Sequence, residues 1–267
     1  MNSVPKISRS RGILFLVAFF PVVIAAAGIR PQPAWSEGAR KLDEVDATIK
    51  YLESKGHTVH RMADGTLTIS LSENVDHGNG IFYSLPKLSP VSCLILDGYV
   101  LGADEIRLLS TSHLSGELKC YDCKLLSGDL GTLRNVKSLE FFRCDFRGDL
   151  LSGLGKCQKL ELLRLHSTKL AAEGVLNLPK QMSTKMDVVV DDTNLNFDSF
   201  RNICTRPYVK QINISEAGIV DDYVENLELG ESLTSLSIGG KLSDKPIQRL
   251  KDANPEVHII WGREDDK

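Results

Sequence analysis

A hydrophobic pattern recurs every 21 to 25 residues from Val91 almost to the C-terminus. Its clearest copy is Leu160-x-x-Leu163-x-Leu165-x-x-Thr168-x-Leu170. In seven successive copies the fourth position is an aliphatic residue: Leu94, Leu118, Leu139, Leu163, Val188, Ile212 and Leu236. The spacings between them are 24, 21, 24, 25, 24 and 24 residues, so the chain is built from a repeated structural unit.

Each copy contains an x-Leu-x-Leu-x core in which apolar residues alternate with others. This alternation predicts a short β-strand with one buried and one exposed face. A single unit cannot bury its apolar face alone, so neighbouring units must stack into a continuous core. The pattern is the signature of leucine-rich repeats. It predicts an α/β solenoid with a curved parallel sheet on the concave face and short helices on the convex face.

The chain divides into four segments. Residues 1–36 predict a signal peptide or membrane anchor, residues 39–85 an N-terminal cap, residues 86–262 about seven repeats with a terminal strand, and residues 263–267 a polar tail. In the cap we expect an amphipathic helix over 39–55, and strands over 57–60 and 67–71 joined by an Asp64-Gly65 turn. A helix and hairpin of this kind would cover the apolar end of the solenoid.

The segments between strands carry apolar faces of their own, and several begin with acidic residues such as Asp104-Glu105 and Asp221-Asp222. Negative charge at this place is typical of a helix N-terminus. We therefore expect short helices around five groups of residues: Ile106, Leu108 and Leu109; Val175, Leu176 and Leu178; Phe197, Phe200 and Ile203; Val224 and Leu227; and Ile247 and Leu250. Residues 257–261 are expected to form the final strand, with Trp261 sealing the last repeat.

The N-terminus has the organisation of an export signal. Lys6, Arg9 and Arg11 precede an uncharged apolar run over residues 13–29. Small residues at Ala34 and Ser36, or at Ala25, Ala26 and Ala27, suit cleavage, whereas the length of the run is at the lower limit of a membrane span. Both interpretations predict export to the periplasm, the cell envelope or the exterior. Retention of residues 13–29 would anchor the chain in a membrane.

The charge balance argues against nucleic acid as a partner. The formal net charge is -3, and basic and acidic residues are mixed along the chain. Nucleic-acid binding calls for a clustered basic surface, which this sequence does not contain.

Six cysteines occur, and the Cys120-x-x-Cys123 spacing resembles a metal or redox motif. The repeat frame favours another interpretation, because Cys120 falls at the buried sixth position and Cys123 and Cys144 at the inward ninth. Equivalent residues on adjacent strands lie about 4.8 Å apart, which also permits a Cys123–Cys144 disulfide. Core packing, a disulfide and a metal site therefore remain as three alternatives, with core packing favoured.

The chain resembles exported bacterial leucine-rich-repeat proteins that begin with a helix–glycine–hairpin cap and end in a Leu-x-x-Ala-x-Pro-x-x-x-Ile-x-Trp type motif. The matching segments are 55–59, 220–224 and 250–261, and the resemblance covers about residues 40–262. It also extends to the cysteine-containing repeat class known from F-box ubiquitin-ligase subunits. This sequence has no F-box and carries an export signal, which argues against such an adaptor role. The resemblance implies a binding scaffold without intrinsic activity.

No catalytic constellation is apparent in the sequence. The histidines are dispersed, and no serine lies in a Gly-x-Ser-x-Gly elbow. Asp187, Asp191 and Asp192 form an acidic cluster, but no compact oxygen-ligand loop is present, so a solvated acidic face is favoured over a cation site. We therefore expect neither enzymatic activity nor a cofactor.

The exposed positions of the strands are the most informative for function. In-register stacking should align Lys119, Glu140 and Arg164 at position five, and Tyr121, Phe142 and His166 at position seven, with Asp191 next in that row. Exposed aromatic residues beside arginine are typical of protein-binding surfaces. The alternative is that both rows only stabilise the sheet through cross-strand contacts.

These observations predict a non-catalytic exported protein that binds another protein through its concave face, with a glycan as the less favoured ligand. A membrane-anchored structural component of the cell envelope is the alternative from another functional class. Fold alone does not identify a ligand, so the partner stays open at this stage.

Overall fold

The structure, a computed structural model, describes residues 35–74, 79–147, 150–170, 176–225 and 227–263. Its architecture is α/β, with one large, mostly parallel sheet and short helices. The strands of this main sheet are β1 (Thr58–Arg61), β2 (Leu67–Ser72), β3 (Val91–Asp97), β5 (Leu114–Tyr121), β7 (Ser138–Phe142), β9 (Leu162–His166), β10 (Met186–Asp191), β11 (Val209–Val220), β12 (Ser235–Lys241) and β13 (His258–Arg263). Three two-residue strands, β4 (Val100–Leu101), β6 (Lys124–Leu125) and β8 (Asp145–Phe146), form a second sheet.

The main sheet has the register that the repeat frame predicts. Along the series from Leu94 to Leu236, each fourth-position residue is paired with its equivalents on the neighbouring strands. Positions four and six face a continuous buried core, while positions three, five and seven face outward on what we call the open face. The repeat period therefore determines which side chains meet across the sheet.

The frame extends one strand further in each direction than the seven copies. Ile69 of β2 pairs with Leu94, and Ile259 of β13 pairs with Leu236, so nine strands share one register. The predicted hairpin is present, with β1 antiparallel to β2, but β2 joins the main sheet through parallel pairing with β3. The hairpin thus continues the repeat instead of only covering its end.

A tight turn follows the strands at position eight. Six of these residues have positive φ: Gly98 (82°), Asp122 (52°), Arg143 (53°), Ser167 (47°), Asp192 (45°) and Glu216 (51°). This left-handed conformation interrupts the in–out alternation, so the residue at position nine turns into the core. Tyr99, Cys123, Cys144, Thr168, Thr193 and Ala217 occupy that position, and all are buried.

The inward residues at position nine bind the backbone of the preceding repeat. Cys144 Sγ donates to the Cys120 carbonyl at 3.3 Å, and Thr168 Oγ1 donates to the Phe141 carbonyl at 3.1 Å. Cys123 makes the same contact with Leu96 at 3.6 Å. Buried carbonyl groups need such partners, so this position links successive repeats by polar contacts inside an otherwise apolar core.

Helices connect some of the strands, as predicted. They are α2 (Ala103–Thr111), α3 (Phe197–Cys204), α4 (Asp221–Val224) and α5 (Asp244–Ala253). The prediction of a helix is wrong for Leu176 and Leu178, because both lie in irregular structure. Val175 lies outside the described residues. The amides of Leu176 and Leu178 donate to Ser199 Oγ and Asn202 Oδ1 of α3, so side chains of the next repeat satisfy the backbone that a helix would have satisfied internally.

Two connections are 3-10 helices, Leu130–Thr132 and Ser152–Lys156. Adjacent turns pack closely here, because a Cβ on Gly131 would lie 1.9 Å from the Gly153 carbonyl oxygen. The repeat from Leu118 to Leu139 is also about one helical turn shorter than most others. A third 3-10 helix, Asn79–Lys87, precedes β3.

The N-terminal helix α1 (Trp35–Ser54) begins four residues before the predicted start. Leu52 is fully buried, and Val45 and Ile49 pack against the core, but Leu42 is 59% exposed and does not join the predicted apolar stripe.

Among the described residues, no helix combines the length and apolarity needed to cross a membrane. The predicted export segment 13–29 and residues 264–267 of the predicted polar tail lie outside the described residues, whereas Arg263 belongs to β13.

The polar link at position nine can be tested at Thr168. Replacement by valine keeps the side-chain shape but removes the donor to the buried Phe141 carbonyl. We expect Thr168→Val to lower the free energy of unfolding by about 1–3 kcal/mol, and Thr168→Ser to retain most of it. Urea unfolding measures both. Thr205→Val, which removes an exposed hydroxyl bond to the Arg201 carbonyl, is the control. If Thr168→Val and Thr205→Val lower the free energy of unfolding equally, the polar link at position nine is contradicted.

Candidate partner-binding face

The structure aligns the predicted rows on the open face. Position five places Lys119 opposite Glu140 and Glu140 opposite Arg164; we call these three residues the charge row. Position seven places Tyr121, Phe142 and His166 side by side; we call these the aromatic row. Across the seven copies identified in the sequence, the rows are Ile95, Lys119, Glu140, Arg164, Val189, Asn213 and Ser237 at position five, and Asp97, Tyr121, Phe142, His166, Asp191, Ser215 and Gly239 at position seven.

The aromatic row is held by ring contacts between neighbouring strands. Tyr121 and Phe142 are stacked, with ring centroids 4.7 Å apart and planes 8° from parallel. The imidazole of His166 lies 5.9 Å from the Phe142 ring at a tilt of 52°. All three side chains are half-buried, so each contributes to the sheet and also presents a surface. Ring stacking of this kind contributes about 0.5–1.5 kcal/mol per pair beyond the area it buries.

Asp191 extends the aromatic row at its polar end. Its Oδ2 lies 2.7 Å from Nδ1 of His166, and its Oδ1 accepts a hydrogen bond from Ser215 Oγ. The carboxylate therefore fixes the orientation of the imidazole, because a hydrogen bond to one ring nitrogen of a histidine positions the ring. Positioned in this way, His166 keeps one ring edge against Asp191 and its face toward Phe142.

Glu140 organises the charge row. Its two carboxylate oxygens lie 3.3 Å from Lys119 Nζ and 3.2 Å from Arg164 Nη1, and Ser138 Oγ donates to it at 3.3 Å. Only 6% of the Glu140 side chain is exposed, against 40% for Arg164. Glu140, predicted as a partner contact, thus lies beneath the surface and supports the cations above it. Burial of a charge is tolerated here because it is paired and hydrogen-bonded.

Lys119 connects this network to the edge of the face. Its Nζ lies 2.9 Å from Glu117 Oε2 as well as 3.3 Å from Glu140 Oε1. The hydrogen bond to Glu117 raises the pKa of Lys119 above its ordinary value of 10.5, and the charge of Glu140 acts in the same direction. The charges of Lys119, Glu140 and Arg164 are therefore paired with other groups of the protein at neutral pH. This is what the alternative predicts in which the row stabilises the sheet through cross-strand contacts.

The cysteines pack in the interior. Cys120, Cys123, Cys144, Cys157 and Cys204 are buried, Cys93 is half-exposed, and none of the six is in a disulfide. Burial raises the pKa of Cys157 to about 11 and also raises the pKa of Cys204 and Cys93. A hydrogen bond with Cys123 raises the pKa of the Cys144 thiol. Thiols in this state are poor nucleophiles and poor metal ligands.

The described residues form no group of three His, Cys, Asp or Glu side chains suited to a metal ion. Within the acidic cluster, Asp191 is engaged by His166 and Ser215, and Asp192 accepts from Ser167 Oγ at 2.6 Å.

Sequence reasoning missed the turn residues at position eight. Arg143 and Asp122 form a bidentate ion pair there, with distances of 2.9 and 2.7 Å, beside the aromatic row. Only Gly98 signalled that this position adopts positive φ, because the other five copies have side chains that rarely adopt this conformation. The sequence pattern also did not indicate that two glycines, Gly239 and Gly262, pair at position seven of the open face.

The charge row predicts a specific dependence of stability on pH. Removal of the Lys119 ammonium should lower the free energy of unfolding by about 1 kcal/mol at pH 7. Because the folded-state pKa of Lys119 is raised, its contribution is fully present below pH 10.5 and is lost as the pH rises through the raised value. The difference between wild type and Lys119→Met in urea unfolding should therefore shrink at strongly alkaline pH. Exposed Lys124, as Lys124→Met, is the control; an undiminished Lys119→Met difference at high pH would contradict the network.

The cysteine assignment predicts the accessibility of the thiols. A thiol-specific disulfide reagent at pH 8 should modify only Cys93 in the native protein, and slowly, because the other five are buried. In denaturant without reductant, all six thiols should react. Four or fewer reactive thiols per denatured chain would indicate a disulfide, with Cys123–Cys144 as the first pair to examine. Rapid reaction of several native thiols would contradict the packing.

No protein-family model matches the chain, and no curated protein is significantly similar to it. The register of the strands and the contacts of the open face are therefore the evidence for function.

Proposed function

We propose that this chain is a leucine-rich-repeat solenoid and acts as a non-catalytic exported protein that binds another protein through its concave face. The shared register of nine strands, the left-handed turn at position eight and the inward residue at position nine support the repeat assignment. In such a solenoid the open face is the concave one, because the connecting segments occupy more space on the other side. Nine strands at about 4.8 Å spacing span roughly 38 Å, which is sufficient for a folded partner.

The stacked Tyr121–Phe142 pair is the single observation that carries the binding proposal. Two rings are held against each other on the open face, beside the partly exposed guanidinium of Arg164. Rigid aromatic side chains beside arginine are the residues that contribute most to protein interfaces, because they lose little conformational entropy on binding. Cross-strand stabilisation explains the charge row without a partner, but it does not require aromatic rings at two consecutive position-seven sites.

Export is supported by the basic residues and apolar run at the N-terminus. Cleavage would release the protein, whereas retention of residues 13–29 would make it a membrane-anchored component of the envelope. N-terminal sequencing of the mature protein distinguishes these two cases. A start near Gly28 or Glu37 indicates cleavage.

The binding proposal predicts that Tyr121→Ala, Phe142→Ala and Arg164→Ala together abolish capture of a specific partner. Pull-down from envelope extracts with wild type and the triple variant, followed by identification of the retained protein, measures this. Thermal unfolding should shift by only a few degrees, because the loss is one half-buried stack and one of the two cations on Glu140.

Tyr83→Ala provides a matched control, since Tyr83 is 65% exposed and lies outside the open face in the 3-10 helix Asn79–Lys87. Partner capture should be unchanged in this variant. Retention of the same partner by the triple variant would refute the proposed site.

A further inference from the structure

The edge of the main sheet at which the central strands begin carries a cluster of basic residues. We call this edge the strand-start rim and define it as residues 130–138, 154–162, 179–187 and 203–211, the nine residues before the fourth position of β7, β9, β10 and β11. The rim contains two acidic residues, Glu161 and Asp187, and eight basic ones: Arg134, Lys137, Lys156, Lys159, Lys180, Lys185, Arg206 and Lys210. The corresponding residues before β5 and β12, 109–117 and 227–235, contain three glutamates and neither lysine nor arginine. The basic cluster is therefore confined to four successive repeats.

The repeat brings these residues together although they are dispersed in the sequence. The amide of Glu161 donates to the Lys137 carbonyl at 2.8 Å, and the amide of Asp187 donates to the Glu161 carbonyl at 2.8 Å. Glu161, Lys185, Asp187 and Lys210 line one surface cavity. Adjacent strands lie about 4.8 Å apart, so the distance between charges of neighbouring repeats is comparable with the Debye length of about 8 Å at physiological ionic strength. The fields of these charges consequently add.

Most of the basic residues of the rim are not neutralised by the protein. Lys156 forms an ion pair with Asp129 at 2.5 Å, and the half-buried Arg206 donates to Asn202 Oδ1 and to the Leu178 carbonyl. The other six are exposed, and none of them forms an ion pair with a described residue: Arg134, Lys137, Lys159, Lys180, Lys185 and Lys210. With Asp129 included, eight basic residues stand against three carboxylates, an excess of five positive charges in a chain of net charge -3.

The opposite edge of the same four strands has an excess of negative charge. Positions seven to eleven, which are residues 142–146, 166–170, 191–195 and 215–219, contain two basic residues and four acidic ones: Arg143 and Lys169, and Asp145, Asp191, Asp192 and Glu216. Charge is thus separated along the strand direction. An anionic surface would attract the strand-start rim and repel the opposite edge, and it would therefore orient the molecule with the open face at right angles to that surface.

The arrangement of the six exposed basic residues fits a flat anionic layer better than a single bound anion or a linear one. Lys137, Lys185 and Lys210 lie two or three residues before a fourth position, at the strand starts. Arg134, Lys159 and Lys180 lie four to eight residues before it, on the side of the connecting segments, and form a second tier. A layer of headgroups contacts both tiers at once, whereas a linear polyanion follows one of them. Side chains without fixed partners can also adapt to mobile headgroups.

We propose that the strand-start rim binds the surface of a bilayer that contains anionic phospholipids. The lysine and arginine side chains contact the headgroup phosphates, the acidic edge points away from the bilayer, and the open face stays free for a protein partner. This attraction is electrostatic and differs from anchoring by residues 13–29. No residue of the aromatic row or the charge row takes part, so bilayer binding is a property beyond the proposed function.

Lysine acylation provides a local test in the full chain, because it reports on the rim whether or not the apolar run over residues 13–29 also contacts the bilayer. An amine-reactive reagent is applied with vesicles of phosphatidylcholine alone or of an equimolar mixture with phosphatidylglycerol, and mass spectrometry quantifies each modified lysine. We expect the five exposed, unpaired rim lysines to react at least threefold more slowly on the anionic vesicles, because headgroups cover them. Exposed Lys124 of β6 and Lys241 at the end of β12 should react equally on both. Salt at about 1 M, which shortens the Debye length to about 3 Å, should remove the protection.

Charge reversal separates the effect of the rim from that of net charge. In a variant with Lys137→Glu, Lys185→Glu and Lys210→Glu, the remaining rim lysines Lys159 and Lys180 should lose their protection on anionic vesicles. The control variant, with Lys41→Glu, Lys124→Glu and Lys241→Glu, has the same net charge and also alters only exposed side chains. Lys159 and Lys180 should stay protected in it. Glutamine at the three rim positions should produce a smaller loss of protection than glutamate.

Equal acylation of the rim lysines on the two kinds of vesicle overturns the proposal, and so does an equal loss of protection in the rim and control variants. Protection by dextran sulfate without protection by anionic vesicles would assign the rim to a soluble polyanion and would also overturn it. The variant with alanine at Tyr121, Phe142 and Arg164 should keep wild-type protection of the rim. Failure of partner capture and failure of bilayer binding are therefore distinguishable.

Discussion

The structure depends on strands that each have one apolar face and cannot bury it alone. Positions four and six of a single strand offer two apolar side chains, which are too few to exclude water. Parallel pairing of equivalent residues from Ile69 to Ile259 joins these pairs into one core. A shift of one residue between any two strands would exchange buried and exposed positions, so the core enforces the register. Because the register is enforced, the exposed residues are aligned as well, and the rows on the open face follow from burial on the other side.

The turn at position eight adds a polar constraint to this apolar one. Side chains at Cys144 and Thr168 enter the core and donate hydrogen bonds to backbone carbonyls of the preceding repeat. Cysteine and threonine can both serve here because each combines a small side chain with a donor. This explains why cysteines spaced like a metal motif lie in the interior: Cys120 and Cys123 occupy different positions of the frame and have different neighbours.

Much of this arrangement could be predicted from the sequence because it depends on periodicity. The pairing of Lys119 with Glu140 and of Tyr121 with Phe142 follows from counting residues, since equivalent positions must meet. The connections were less predictable. Leu176 and Leu178 have helical spacing, yet Ser199 and Asn202 of the next repeat provide their hydrogen bonds, and this contact is between segments that are distant in sequence. Periodicity also does not indicate how deeply a side chain is buried. Glu140 and Arg164 share a row, but the Glu140 side chain is buried and the Arg164 side chain is partly exposed.

The positions of the aromatic row and of β13 within the sheet give them different local stabilities. Tyr121 and Phe142 lie on strands with a neighbour on each side, where opening would disrupt two ladders of hydrogen bonds. Gly262 lies on β13, which among the described strands pairs with β12 alone. A terminal strand is free to separate without disturbing the rest, so its local stability is lower than that of the centre. Amide hydrogens of β13 should therefore exchange with solvent faster than those of β5 and β7.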